Sequence, residues 1–244
     1  MADPVELERA IQQRLETEPT SPLLSSLYHD LGVAYYDRLN QGIAIDRLAE
    51  QSAGIVALEL AIERRRDLDD RLLLASSLIY LTNLYEVMGQ HEPSVLLYQQ
   101  ALEIHQLEFD DRHPDMALSL NNMATIYQSV GNRTEAEQLF KQSINIFEDL
   151  GTAYPMGFTV LKNLVSFYLS NQEYPRAGAL LSRWLDICKA QLPIDHFQTQ
   201  QIQTALANLK KDGLYSPKST AHKPANPKAF GAKPKKGKRS IVSE

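Results

Sequence analysis

The stretch from His113 to Gly151, HPDMALSLNNMATIYQSVGNRTEAEQLFKQSINIFEDLG, decides the fold. Leu120, Met123, Ala124 and Tyr127 recur at the spacing that places side chains on one face of a helix. Ala136, Phe140, Ser143 and Ile146 do the same further on, and Gly131-Asn132 breaks the pattern between the two runs. The stretch therefore reads as two amphipathic helices joined by a tight turn. One such pair cannot bury its apolar face alone, so the unit is expected to repeat.

It does repeat. Ala101-Leu102-Glu103-Ile104 aligns on Ser143-Ile144-Asn145-Ile146 at a step of 42 residues. The upstream unit Ala75, Leu78, Leu81, Thr82, Tyr85, Gly89, Ser94, Tyr98, Ala101 then falls on Ala117, Leu120, Met123, Ala124, Tyr127, Gly131, Ala136, Phe140, Ser143. A downstream copy uses Leu161, Leu164, Val165, Tyr168, Ala177, Leu181 and Trp184, one residue closer, and a looser first copy uses Leu31, Gly32, Tyr35, Leu58 and Ala61. Small residues at Ala101, Ala124 and Ala136 let helix axes approach while Tyr, Phe and Leu fill the space beside them.

The run Leu-x-x-Met-Ala-x-x-Tyr-x-x-x-Gly followed by Glu-Ala-Glu-x-x-Phe resembles the tetratricopeptide repeat. The period of 42, the His113-Pro114 start and the Leu120-Asn121-Asn122 run resemble the kinesin-light-chain variety of it. HEAT and armadillo repeats share the period but lack these small-residue and Tyr/Gly positions. The resemblance covers roughly residues 23 to 191 and implies an all-α, right-handed superhelical solenoid of antiparallel helix pairs. Four repeats are expected at about 23–66, 69–107, 113–150 and 155–191, with capping helices at 4–16 and 194–209.

The rest of the chain fits around that frame. Asp3-Pro4 is a helix start, and Val5, Leu7, Ile11 and Leu15 suit a cap over the first repeat. Between Tyr35 and Ala61 lie about ten more residues than the third copy has, so the segment near 37–50 must lengthen its helices or bulge at Asn40-Gln41-Gly42. Arg64-Arg65-Arg66 followed by Asp67 reads as cations closing one helix and acids opening the next. Phe197, Ile202, Leu206 and Leu209 can close the far end.

Chemistry is sparse. Asp110-Asp111-Arg112-His113-Pro114-Asp115 lacks a calcium-loop succession, and no His-x-x-x-His pair or glycine-rich phosphate loop occurs. Cys188, the single cysteine, sits at an interior helical phase beside Trp184 and Leu185 and fits a reducing, cytoplasmic setting. We therefore expect no catalytic residue, metal or cofactor, and not an enzyme. No run reaches the length of a membrane span, and the first twenty residues lack the apolar block of a secretory signal.

Composition shifts at Leu214. Residues 214–244 hold eight Lys/Arg against one acid, about +7, and leave 17 against 29, about −12, on residues 1–213. Four prolines and no apolar periodicity predict a basic disordered tail, with Lys233, Lys235, Lys236, Lys238 and Arg239 as its cluster. That tail is a candidate contact for nucleic acid or ribosomal RNA, an anionic membrane or the acidic body itself. With Tyr215 and Phe230 as its only aromatics it offers little base stacking.

By the resemblance, the first helix of each repeat lines a concave wall that binds an extended or helical segment of a partner protein. The positions facing the groove would be Asn83, Glu86, Asn121, Asn122, Thr125, Gln128, Lys162, Asn163 and Ser166. Asn122 and Asn163 share one repeat position, and an amide can both donate to and accept from a peptide backbone. Lys162 is the one base among these positions, too few for a clamp on a C-terminal carboxylate. The reading is a non-enzymatic protein-binding adaptor or assembly factor; the alternative is an RNA- or ribosome-associated factor recruited through the tail.

Overall fold

The computed structural model describes residues 3–68, 70–151, 155–193 and 195–216; the tail cluster Lys233 to Arg239 lies outside them. Among the described residues there are ten helices and no strand: α1 (Pro4–Thr17), α2 (Leu23–Asn40), α3 (Arg47–Arg66), α4 (Arg71–Val87), α5 (His91–Glu108), α6 (Pro114–Ser129), α7 (Arg133–Leu150), α8 (Met156–Ser170), α9 (Tyr174–Gln191) and α10 (Phe197–Lys211). The hairpins α2–α3, α4–α5, α6–α7 and α8–α9 stack in order, with α1 against α2 and α10 against α9. Contacts of α2 with α4 and of α6 with α8 bring first helices of successive repeats side by side.

Local chemistry sets the boundaries. Asp3, Asp46 and Asp70 accept from the N–H groups of Val5, Ala49 and Leu73 at 3.0, 3.0 and 3.1 Å, satisfying donors that a helix start leaves unpaired. His113 does the same through Nδ1 for Asp115 at 3.2 Å, which gives the acid–histidine cluster a capping role. The first three hairpins turn at Gly42, Gly89 and Gly131, all with φ near +70° to +78°. At the equivalent point of the fourth stands Gln172, at φ 60°.

The core follows the repeat pattern. Ala75, Ala101, Ala117, Ala124, Ala136 and Ala177 are fully buried beside Leu78, Tyr98, Met123, Phe140, Leu164 and Trp184. In the first hairpin Gly32 lets α2 approach α3 closely; a Cβ there would lie 2.4 Å from Leu58 Cγ. Ser143 is buried because its hydroxyl donates to the Ala117 carbonyl at 2.6 Å. Between the third and fourth repeats, Glu137 takes Lys141 at 2.7 Å and Arg176 at 2.8 Å, and Glu173 pairs with Arg133 and Arg176.

The extra residues of the first repeat go into both helices and the loop. From Tyr35 to the turn glycine Gly42 is three residues more than from Tyr85 to Gly89, and α3 begins four residues earlier relative to Gly54 than α5 does relative to Ser94. The lengthened tip is held by Arg38, which donates to both oxygens of Glu50 at 2.7 and 2.9 Å, and by the Ile45 N–H bonded to the same carboxylate at 2.9 Å. Ile45 is left 94% exposed.

Four expectations are corrected. Arg65 is not a solvated cation at a helix end: it is 2% exposed, because its helical phase matches that of buried Ala61 and Leu58 and faces α4. Its Nη1 donates to the Leu73 carbonyl at 2.7 Å and the Ser77 hydroxyl at 2.6 Å. Phe197 is 67% exposed and Thr199 is buried in the cap instead. A side chain at the first position of a helix tilts toward its N-terminus, past the packed face. Val5, near the start of α1, is exposed as well, and Pro4 beside it is buried instead. Finally, the ordered body runs past the shift in composition. The N–H groups of Leu214 and Tyr215 both bond to the Leu209 carbonyl, at 3.0 and 3.1 Å. The Tyr215 hydroxyl lies 3.1 Å from that of Ser182, and its ring sits where a Cβ on Gly178 would be, 2.3 Å from Cγ.

Candidate functional site

The side-by-side first helices make a wall, and the repeat register says which side chains share a level on it. Asp30, Tyr80, Asn122 and Asn163 are equivalent, as are Val33, Asn83, Thr125 and Ser166, and Tyr36, Glu86, Gln128 and Leu169. Asn122, Thr125, Gln128, Lys162 and Ser166 are exposed, whereas Asn83, Glu86 and Asn163 are half-buried.

Asn121 departs from the expected exposed stripe. It is 3% exposed, turned into the seam between α6 and α8, where its Oδ1 accepts from Asn163 Nδ2 at 3.0 Å. Its own Nδ2 donates to Asn122 Oδ1 at 3.2 Å. The three amides form a relay of fixed sense across two repeats. Asn163 uses an N–H inward and keeps Oδ1 as an acceptor, whereas Asn122 uses Oδ1 inward, turns one N–H toward the buried Tyr98 hydroxyl and keeps the other as a donor. Thr125 does not join it; its hydroxyl donates to the Asn121 carbonyl at 3.1 Å, within its own helix.

Glu86 has a different role. Its Oε2 accepts from Ser129 on α6 at 3.1 Å and lies 3.0 Å from His91 Nδ1, so it ties the second repeat to the third. Lys162 and Ser166 make no hydrogen bond or ion pair with the rest of the described chain.

The first repeat contributes wall residues that the sequence reading did not name. Tyr36 and Tyr80 meet edge-on with ring centroids 5.9 Å apart, and His29 meets Tyr80 at 5.3 Å. His29 Nδ1 is 3.1 Å from the Ser77 hydroxyl. Burial, with the Arg65 charge behind it, pushes its pKa down to about 4, so the ring is neutral. The shared repeat position of Asp30, Tyr80, Asn122 and Asn163 was the available signal, blurred by the ten-residue insertion.

The family model for the tetratricopeptide repeat matches residues 83–149, which span α5, α6, α7 and part of α4. The stacked hairpins match solved structures. One is a kinesin light chain protein of Podosopora anserina with nearly identical TPR-like repeats: TM-score 0.63, 22% identity, covering 78% of this chain and 88% of that one. Residues 83–149 are tetratricopeptide repeats.

In fold, the chain's stacked long hairpins are similar to kinesin-light-chain repeats. BtubC (BKLC) from P. vanneervenii is similar in fold, with a TM-score of 0.63 at 20% identity over 86% of this chain and 83% of that chain. The same right-handed superhelix of helix pairs accounts for the wall. Among curated proteins, the clustered mitochondria protein homologs of Emericella nidulans and Aspergillus clavatus are 22% and 23% identical over 194 and 195 residues, 79% of this chain. The chain spans about 15% of the length of those relatives.

Proposed function

We propose that this tetratricopeptide-repeat protein is a non-enzymatic adaptor or assembly factor that holds an extended segment of a partner protein against the inner wall. The repeat fold supports a protein-interaction role in general. The Asn163–Asn121–Asn122 relay carries the specific reading. It sets an acceptor at Asn163 and a donor at Asn122 on adjacent helices, the pair of groups that an extended backbone needs from a surface. Lys162 and Ser166 beside it have no partner in the described chain and can serve a ligand. We place the protein in the cytoplasm, in keeping with a single cysteine that is fully buried.

The test is capture of partner proteins by the full chain and by a double variant, Asn122→Ala with Asn163→Ala. Loss of a discrete partner at unchanged helical circular dichroism supports the reading. Retention of every partner by a folded double variant overturns it.

A further inference from the structure

The inner wall changes chemistry along its length, and its first half is built for a cation. Tyr36 on α2 and Tyr80 on α4 are half-buried with their rings edge-on, and neither phenol hydroxyl has a hydrogen-bond partner in the described chain. Asp30 and Asp37 lie seven residues apart on the same helix as Tyr36, two turns along one face, and neither has an ion-pair partner among the described residues. The charge of Asp37 is felt by the Tyr36 phenol, whose pKa is raised by burial first and by Asp37 second.

The nearby bases are already committed. Arg38 donates from Nε and Nη2 to Glu50, Arg64 lies over the Tyr28 ring at 5.1 Å, and Arg65 is buried on Ser77 and the Leu73 carbonyl, with its field reaching Asp30. His29 is neutral and packs on Tyr80 as an aromatic. The site thus presents aromatic faces, phenol oxygens and a free carboxylate, with no exposed cation among them. The second half of the wall differs: it carries amides and Lys162.

Resting on the groove reading above, we propose that the Tyr36–Tyr80–Asp37 end of the wall receives an arginine or lysine side chain of the bound peptide. The cation lies against the tyrosine rings and pairs with Asp37, while the amide relay holds the peptide backbone further along. Arginine fits better than lysine, because its planar guanidinium stacks on a ring and still reaches a carboxylate in the same plane. The occupant follows from charge: a glutamate or aspartate here would meet Asp30 and Asp37 with no base to answer it.

The experiment presents a library of ten-residue peptides, random at every position, to the full chain and reads the residues enriched. The tightest peptide is then resynthesised with its basic residue changed to glutamine, and both are titrated by fluorescence anisotropy. Enrichment of Arg or Lys at one position, and about a tenfold loss of affinity on the change to glutamine, is expected for the unaltered protein. With Asp37→Asn the same change should cost about threefold or less, and with Tyr80→Leu less still. Asp37→Asn keeps the size and shape of the side chain, so the test stands even where Tyr80→Leu disturbs packing.

Peptides that bind without basic preference, or a preference equal in Asp37→Asn and the unaltered chain, overturn the proposal but leave the groove reading intact. Weakening of all peptides alike by Asn122→Ala with Asn163→Ala confirms the groove independently. A library from which nothing is enriched overturns both.

Discussion

Arg65 Nη1 donates to the Ser77 hydroxyl at 2.6 Å, and one repeat later His105 Nδ1 meets the Ser119 hydroxyl in the same register. Each pair joins the end of one repeat's second helix to the first helix of the next. At the following seam the equivalent positions are Phe147 and Val160, both fully buried. At this level the seams therefore grade from polar to apolar along the chain. Among the described residues Arg65 has no carboxylate within ion-pair distance, and its Nε has no partner. Such a buried cation contributes little net stability, because its desolvation offsets its hydrogen bonds. Ser77→Ala, which removes one acceptor and leaves the charge, should lower the unfolding free energy by about 2 kcal/mol. Arg65→Met should be neutral or stabilising. Urea titration separates the two: a midpoint shift at constant slope is expected, in opposite directions or with Arg65→Met unchanged.

The same seams make stability depend on pH. His29 titrates at about 4 in the folded chain, and burial also lowers His105. Unfolded histidine titrates near 6.5, so between roughly pH 6.5 and 4 the unfolded chain holds more protons than the folded one. Stability should therefore be full above about pH 7 and fall as pH drops through that window. Urea midpoints at pH 7.5, 6.0 and 5.0 should decline in order, and His29→Asn should flatten the decline. An equal slope with and without His29 would remove it as the cause.

The turn of the fourth repeat has room for improvement. Gln172 sits at φ 60°, where Gly89 and Gly131 sit in their repeats, and a side chain in that region is strained. Gln172→Gly should raise the unfolding free energy by about 0.5–1 kcal/mol, and Gly131→Ala should lower it by about 1 kcal/mol. Thermal melts report both as shifts of opposite sign.

Tyr215 needs the absence of a side chain at 178. A Cβ on Gly178 would overlap the Tyr215 ring at 2.3 Å, so Gly178→Ala should cost about 1–3 kcal/mol. If displacement of that ring is the cause, adding Gly178→Ala to Tyr215→Ala should cost much less than it does alone. A double-mutant cycle by urea unfolding measures the difference.

The helical pairs were legible because their signals are local: spacing of Leu120, Met123 and Tyr127, a turn glycine, and small residues where axes meet. The buried state of Arg65 was not, since three arginines in a row look alike in sequence and only helical phase separates Arg65 from exposed Arg66. Asn121 was misplaced on the stripe for a related reason: one step of a helix is about 100°, enough to turn a wall residue into the seam. The aromatic end escaped notice because the insertion hid the register of α2 against α4. Tyr215 lies beyond a sharp change in composition, which says nothing about one ring finding a glycine.

The lengthened tip of the first hairpin, pinned by Arg38 and Glu50, grows outward from the edge of the stack. Repeat spacing is set where seams touch, at residues such as Ser77 and Ser119, while Ile45 at the tip stands 94% exposed. Length added there leaves the pitch of the superhelix and the level of each wall residue unchanged. Breadth and pitch are thus independent dimensions of this molecule. A tip can change from one sequence to another while the groove keeps the same ruler.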